Sequence, residues 1–257
     1  MSNDKKASVL GHLKELRWRL IKIVIAVLIA TITSFIFAKQ IFDILILPAG
    51  GIDLIYIEMT EMVSTYMKVC LASGIILTMP YVIYQFIMFV SPALTRREKR
   101  SVYLVLPWIT LMFVGGVLFG YFILLPPATN FLITFGSEIA SPQIKIGNYI
   151  SIVTRLLLGI GLVFEMPVVT TFLARLGVIT PKWLSSKRRG AILFAFILAA
   201  IITPTFDPVN QSLVAAPLII LYEMSIWLAK LVQIGKKKGS LVAATEENGE
   251  ASGADKQ

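Results

Sequence analysis

Residues 150–173 read ISIVTRLLLGIGLVFEMPVVTTFL, an apolar stretch in which only Arg155 and Glu165 carry charge. About 20 such residues form a helix that crosses the roughly 30 Å hydrocarbon core of a bilayer, and a helix satisfies its own backbone hydrogen bonds in lipid. The whole chain shares this character, because 56% of its 257 residues are hydrophobic and only 15% are charged. An average globular protein has about 25% charged residues. We therefore predict an all-α, polytopic membrane protein.

Six apolar stretches predict six transmembrane helices. They lie at about 20–38, 69–90, 102–125, 150–173, 190–204 and 211–232. The last two are short, and the connection TPTFDPVN at 203–210 permits only a tight hairpin. A helix from residue 190 to 203 extends about 21 Å, so this pair is predicted to be re-entrant or to span a locally thinned bilayer. Prolines inside the stretches predict bent helices and a curved, concave bundle; they are Pro80, Pro107, Pro167 and Pro217.

The basic residues cluster at alternate connections between the spans. The clusters lie at 5–19, 96–100, 175–189 and 230–238, whereas the other connections carry few cations. The positive-inside rule makes the clustered side cytoplasmic and places both termini in the cytoplasm. The net charge of +9 is explained by this topology, so we predict no binding to nucleic acid.

The two ends of the chain differ from the spans. Leucines and a valine at helical spacing within 8–19 predict an amphipathic helix at the cytoplasmic interface. Residues 1–234 are predicted to form a single six-helix transmembrane domain. Residues 235–257 are rich in Gly, Ser, Ala, Glu and Asn and predict a disordered cytoplasmic tail.

Four polar side chains in the predicted spans are candidates for a site or for an ion pair. Glu165 is more than one turn from either end of its span, where an acid costs several kcal/mol unless it is neutralised, hydrated or paired. It is either a protonated acid that donates to a backbone carbonyl, such as one freed by Pro167, or a functional polar site. Gln85 and Gln211 are interpreted as interhelical hydrogen-bonding groups or as further members of a polar site. Glu223, near the end of the last span, is expected to pair with a nearby lysine such as Lys230.

Two cytoplasmic acids stand among cations. Glu15 has Lys14, Arg17 and Arg19 close by in sequence, and Glu98 is the only acid within the basic segment RREKR at 96–100. Each acid is either a local ion-pair partner or part of a docking site for a cationic ligand. Guanidinium groups would suit such a site, because arginine presents a planar fork that binds a carboxylate at two points.

The residue inventory argues against several chemistries. A single cysteine (Cys70) and a single histidine (His12) provide no cysteine or histidine metal cluster and no Ser-His-Asp site. No G-x-x-x-x-G-K-[ST] motif for ATP phosphates occurs. We predict no catalytic residue, no metal and no cofactor. Two other functions compete with a docking role: a proton-coupled secondary transporter that uses Glu165 as a relay, and an intramembrane protease, for which the spans lack paired aspartates.

Five segments in order resemble the TatC family, the polytopic subunit of the twin-arginine protein translocase. They are HLKELRWRL at 12–20, PYVIYQFIMFVSPALTRREKR at 80–100, GYFILLPPATNFL at 120–132, LLLGIGLVFEMP at 156–167 and RRGAILFAFILAAIITPTFDPVNQSLVAAPLIILYE at 188–223. The resemblance covers about residues 8–232, which is essentially the whole predicted membrane portion.

The resemblance implies a receptor and core component that recognises twin-arginine signal peptides on folded proteins and exports them across the bacterial cytoplasmic (inner) membrane. Glu15 and Glu98 match the positions that receive the arginine pair, Arg17 supports the amino-terminal region, and Phe89 lies in the segment that leads to the Glu98 loop. The resemblance also implies homo- or hetero-oligomeric assembly with single-span TatA and TatB subunits in the lipid bilayer. The energy for transport is implied to come from the proton motive force.

Further positions follow from the same resemblance. Glu165 matches an intramembrane acid that meets polar groups of partner helices, and the fifth and sixth spans match a partner-docking region. Pro48 and the 39–68 segment match a periplasmic cap over the concavity. Asp207 and Gln211 match the last periplasmic turn.

Overall fold

The computed structural model describes residues 2–50, 53–90, 96–135, 137, 139, 142–203 and 207–254. Side chains are described between residues 13 and 234, apart from residues 90, 96–106 and 176 and those outside the ranges above. This part of the chain is helical and contains no strand beyond a single bridge between Ile55 and Lys145. The predicted all-α fold class is therefore confirmed.

Ten α-helices follow one another in the described part of the chain. They are α1 (Ser2–Ile36), α2 (Ala38–Ile46), α3 (Glu61–Val90), α4 (Arg96–Phe119), α5 (Leu125–Thr134), α6 (Ile146–Phe164), α7 (Met166–Leu176), α8 (Pro181–Ser186), α9 (Arg188–Ile202) and α10 (Pro208–Ala254). A 3-10 turn at Leu47–Ala49 follows α2, and a π-helical turn at Gly120–Leu124 joins α4 to α5.

Five segments of these helices are long and apolar enough to cross a membrane. They are Leu13–Ile36, Glu61–Phe89, Pro107–Thr134, Ile146–Arg175 and Pro208–Ile234. The sixth apolar helix, α9, has only 15 residues, or about 22 Å at 1.5 Å per residue. The predicted short span is thus α9 alone, because the helix that follows it has 27 apolar-span residues.

The boundaries differ from the predicted ones at both ends of the chain. The segment 8–19 and the first span form one continuous helix, α1, because no proline or glycine separates them after Gly11. At the other end α10 continues to Ala254, where composition predicted a disordered tail from residue 235. The Ala, Glu and Lys residues of that segment favour a helix, whereas its four glycines do not.

The prolines act unequally on the helices. Pro80, Pro107 and Pro217 each lie inside one uninterrupted helix. Pro167 instead occupies the first turn of α7, directly after the break at Glu165. A proline in a first helical turn is favourable because its missing N–H would have no helical acceptor there.

α6 is the central helix of the bundle. Ile150, Val153 and Ile160 along its length are fully buried, and the main hydrophobic core surrounds them. Glycines bring neighbouring backbones close: a Cβ at Gly116 would lie 2.7 Å from Phe164, and one at Gly74 of α3 would collide with Thr31 of α1. The short helix α9 ends against α6, since a Cβ at Gly159 would lie 2.7 Å from Ile202.

Candidate functional site: three polar regions of the bundle

We call the end of the bundle that carries Glu15 the basic end, and the end that carries residues 37–60 the capped end. Helical spacing places Glu15 and Arg19 on one face of α1, one turn apart. The Arg19 guanidinium donates from Nε (3.1 Å) and Nη2 (2.6 Å) to Oε1 of Glu15. The local ion pair, one of the two alternatives for Glu15, is therefore present in this structure.

Gln85 of α3 completes this arrangement from the neighbouring helix. Its side chain is 5% exposed, and its Oε1 accepts a hydrogen bond from Nη1 of Arg19 at 3.1 Å. Its Nε2 donates to the hydroxyl of Tyr81 at 2.6 Å, which fixes the orientation of the amide. Four side chains thus form one connected network at the basic end: Glu15, Arg19, Gln85 and Tyr81.

The other predicted receptor residues stand in different positions. Arg17 is exposed on α1, outside the network. Phe89 is half-buried and lies one turn beyond Gln85 on α3. Glu98 belongs to the first turn of α4, and its side chain lies outside the described residues.

Glu165 occupies the break between α6 and α7. It is 3% exposed, and neither carboxylate oxygen has a hydrogen-bond partner within the described part of the chain. Its backbone is engaged, since its carbonyl accepts from the N–H groups of Val168 (3.1 Å) and Val169 (2.9 Å). The alternative in which the acid donates to a freed carbonyl is therefore not what this structure contains.

The two glutamines do not reach Glu165. Gln85 belongs to the network at the basic end, and Nε2 of Gln211 donates to the carbonyl of Phe196 at 3.1 Å. Met166, the residue after Glu165, lines an apolar crevice of about 510 Å³ between α7, α8, α9 and α10. The crevice thus begins one residue after the buried acid, and Glu165 itself does not line it.

The capped end is tied to the bundle by hydrogen bonds from three helices. Thr129 donates to the carbonyl of Pro48 (3.3 Å), Tyr121 to that of Ile44 (2.7 Å) and Tyr149 to that of Leu45 (3.0 Å). Asp207 stands at a different turn, before Pro208, where its Oδ1 accepts from the N–H of Asn210 at 2.7 Å. Asp207 is thus an N-cap of α10.

Glu61 is a residue at this end that the sequence did not single out. Its Oε2 accepts from the N–H of Ile57 (3.0 Å), and its Oε1 accepts from the N–H of Gly147 at the start of α6 (3.1 Å). Two backbone hydrogen bonds between Ile55 and residues 144 and 146 run alongside. An acid in the first turn of a helix is a common feature of sequences. Only the structure therefore shows that Glu61 links two distant segments by hydrogen bonds.

The expected partner of Glu223 was wrong. The carboxylate pairs with Arg188 at two points, from Nε at 2.7 Å and from Nη2 at 2.9 Å. Arg188 opens α9 and Glu223 lies on α10, so the pair joins the two helices at the basic end, whereas Lys230 lies about two turns further along α10.

These features define a class: a polytopic helical membrane protein with a guanidinium–carboxylate network at one end and an unpaired acid inside. The family model described as "Sec-independent protein translocase protein (TatC)" matches residues 11–217. The chain belongs to the TatC family, and its role is that of a protein translocase component. The secondary-transporter and protease interpretations give way to this assignment.

Individual relatives agree with the family. The Sec-independent protein translocase protein TatC of Carboxydothermus hydrogenoformans is 40% identical over 232 residues, covering 90% of this chain and 96% of the relative. The TatC of Aquifex aeolicus is 43% identical over 233 residues, covering 88% and 96%. A crystal structure of the twin arginine translocase receptor TatC superimposes with a TM-score of 0.79 at 43% identity, covering 86% of this chain and 99% of that one.

Proposed function

We propose that this protein is the receptor of a twin-arginine translocase: it binds twin-arginine signal peptides at its basic end and serves as a core component for the export of folded proteins. The observation that carries the proposal is the geometry around Glu15. The Glu15 side chain is one-third exposed, and its Oε1 already receives two N–H groups of one guanidinium. A peptide arginine presents the same planar group.

Three further residues are proposed to act together with this carboxylate. Glu98 supplies a second acid from the start of α4, so that two guanidinium groups meet two carboxylates. Exposed Arg17 repels ligands that carry diffuse positive charge, and Phe89 provides an apolar contact one turn from Gln85. The proposal places this end of the bundle in the cytoplasm, with both termini.

Glu165 is proposed as the contact for single-span partners of the TatA and TatB type. A buried carboxyl without a partner is costly, and a polar group on a partner helix would satisfy it. Met166, the next residue along the chain, lines an apolar crevice that offers a wall for such a partner helix. Gln211, in the first turn of α10, is proposed as a second polar contact for the same partner helices.

The proposed setting is the bacterial cytoplasmic membrane, with the capped end in the periplasm. The basic clusters at 5–19, 96–100, 175–189 and 230–238 favour this orientation. Pro48 and its 3-10 turn then form part of a periplasmic cap, and Asp207 lies in the turn of the α9–α10 hairpin on that side.

The experiment is peptide binding to detergent-solubilised full-length protein, with a twin-arginine peptide compared with its twin-lysine counterpart. We expect the arginine peptide to bind tighter and Glu15→Gln to weaken it by about tenfold, since charge-assisted hydrogen bonds contribute about 1.5–3 kcal/mol each. Asp43→Asn is the matched control, because Asp43 is an exposed acid at the capped end. Equal binding of the two peptides to the wild-type protein would refute the receptor function.

A further inference from the structure

The Glu15 carboxylate is occupied by a guanidinium of the chain itself. Arg19 contacts Glu15 through two nitrogens and Gln85 through the third. All three guanidinium nitrogens therefore have an acceptor, and the Arg19 side chain is only 20% exposed. One oxygen of the proposed binding position for a peptide arginine, Oε1 of Glu15, thus already has donors before any peptide arrives.

We propose that Arg19 is a specificity-determining residue: it is an internal competitor that an incoming guanidinium must displace from Glu15. This inference rests on the proposed receptor function and adds to it the reason for preferring arginine over lysine. The occupant is of the same chemical class as the ligand, so the site selects by exchange of one guanidinium for another.

The energetics of exchange separate the two cations. An arginine that replaces Arg19 at Glu15 restores a two-point contact, because its fork matches that of the group it displaces. A lysine ammonium is a compact, strongly hydrated point charge. A lysine that displaced Arg19 would break the two-point contact between Arg19 and Glu15 and would not form one of the same geometry. The preference for arginine then arises because the binding of lysine is made less favourable.

After displacement from Glu15, the Arg19 side chain can stay hydrogen-bonded to Gln85. The side-chain carbonyl oxygen of Gln85 already faces Arg19, because the Tyr81 hydroxyl holds the amide nitrogen of Gln85. Arg19 can release Glu15 while keeping its bond to Gln85. The exchange therefore does not leave the buried amide oxygen of Gln85 without a donor.

The test is a comparison of peptide affinities in four variants of the full-length protein. For Arg19→Gln we expect about threefold tighter binding of the twin-arginine peptide and about tenfold tighter binding of the twin-lysine peptide, so the arginine preference falls about threefold. Arg19→Lys, which keeps the charge, is expected to lie between wild type and Arg19→Gln. Lys22→Gln is the matched control: it removes one positive charge from an exposed position on the same helix and should leave both affinities unchanged.

The fourth variant combines Glu15→Gln with Arg19→Gln. Because the competitor acts through Glu15, the gain from Arg19→Gln should disappear in this double variant. An unchanged or increased arginine preference in Arg19→Gln and Arg19→Lys, while wild type still discriminates, would overturn the competitor role and leave the receptor function intact. Lack of discrimination in the wild type would instead remove the receptor function itself.

Discussion

Glu61 and Glu165 both stand where a helix begins or breaks, yet their carboxylates have opposite surroundings. Glu61 accepts two backbone N–H groups from segments far apart in sequence. Glu165 is buried and has no hydrogen-bond partner in the described part of the chain. The fold thus provides hydrogen-bond donors to Glu61, which links two segments, whereas no described residue donates to Glu165. Substitutions at the two positions should therefore have opposite effects on stability and on partner binding.

The largest effect is expected at Glu165. Glu165→Ala should reduce co-purification of single-span partner subunits by more than tenfold, and Glu165→Gln should reduce it less, because an amide can still bond to a polar partner. The melting temperature of the isolated protein should stay equal or rise in both variants, since a buried unsatisfied acid is removed. Unchanged partner recovery in both variants would assign Glu165 to packing alone.

Glu61 should show the reverse pattern. Glu61→Ala removes both acceptors and should lower the melting temperature clearly, whereas Glu61→Gln keeps one carbonyl oxygen and should lower it less. Glu58→Gln is the control, because Glu58 contacts Lys145 at 3.7 Å from an exposed position and such pairs contribute little. Equal melting temperatures for Glu61→Ala and Glu58→Gln would contradict the tie between the capped end and α6.

A smaller effect is expected from the tyrosines of the capped end. Tyr149→Phe should destabilise the protein by about 1 kcal/mol, the usual contribution of one hydrogen bond, because its buried hydroxyl donates to the carbonyl of Leu45. Tyr121→Phe should cost less, because its hydroxyl is in an exposed setting. Denaturation of the purified variants in detergent measures both, and a larger loss for Tyr121→Phe would reverse the expected order.

The smallest expected effect concerns the depth of α9 in the bilayer. A spin label at exposed Ile201, near the end of α9, should be accessible to a water-soluble relaxation agent, because a helix of about 22 Å does not cover the hydrocarbon core. A label at exposed Leu28, within the apolar part of α1, is the control and should be protected. Equal protection at both sites would show that the bilayer is not thinned beside α9.

The sequence predicted what depends on local pattern. Apolar stretches identified the five long apolar helices and the short α9, and the topology that the basic clusters indicate stays a prediction. The fusion of the amphipathic segment with the first span was missed, because interfacial and spanning segments were treated as separate units. The early start of α3 at Glu61 was missed because hydropathy alone marks the apolar part of a helix and not its polar first turns.

Contacts between distant segments could not be predicted in the same way. The bonds from Glu61 to Gly147, from Arg19 to Gln85 and from Glu223 to Arg188 depend on which helices pack together and in what register. A nearest-in-sequence rule favoured Lys230 for Glu223 and failed. The same rule did place Arg19 near Glu15, because a separation of four residues on one helix is itself a contact.

The length of the uninterrupted helix α1 determines the depth, relative to the bilayer, at which a ligand would bind Glu15. Its 35 residues extend about 52 Å, some 20 Å more than the hydrocarbon core is thick. With Ile36 at the far edge of the core, Glu15 lies about 32 Å away along the axis, at the level of the lipid headgroups. A peptide bound at Glu15, as proposed, would begin its crossing at the water boundary, and the turns of α1 that precede Glu15 extend beyond that level.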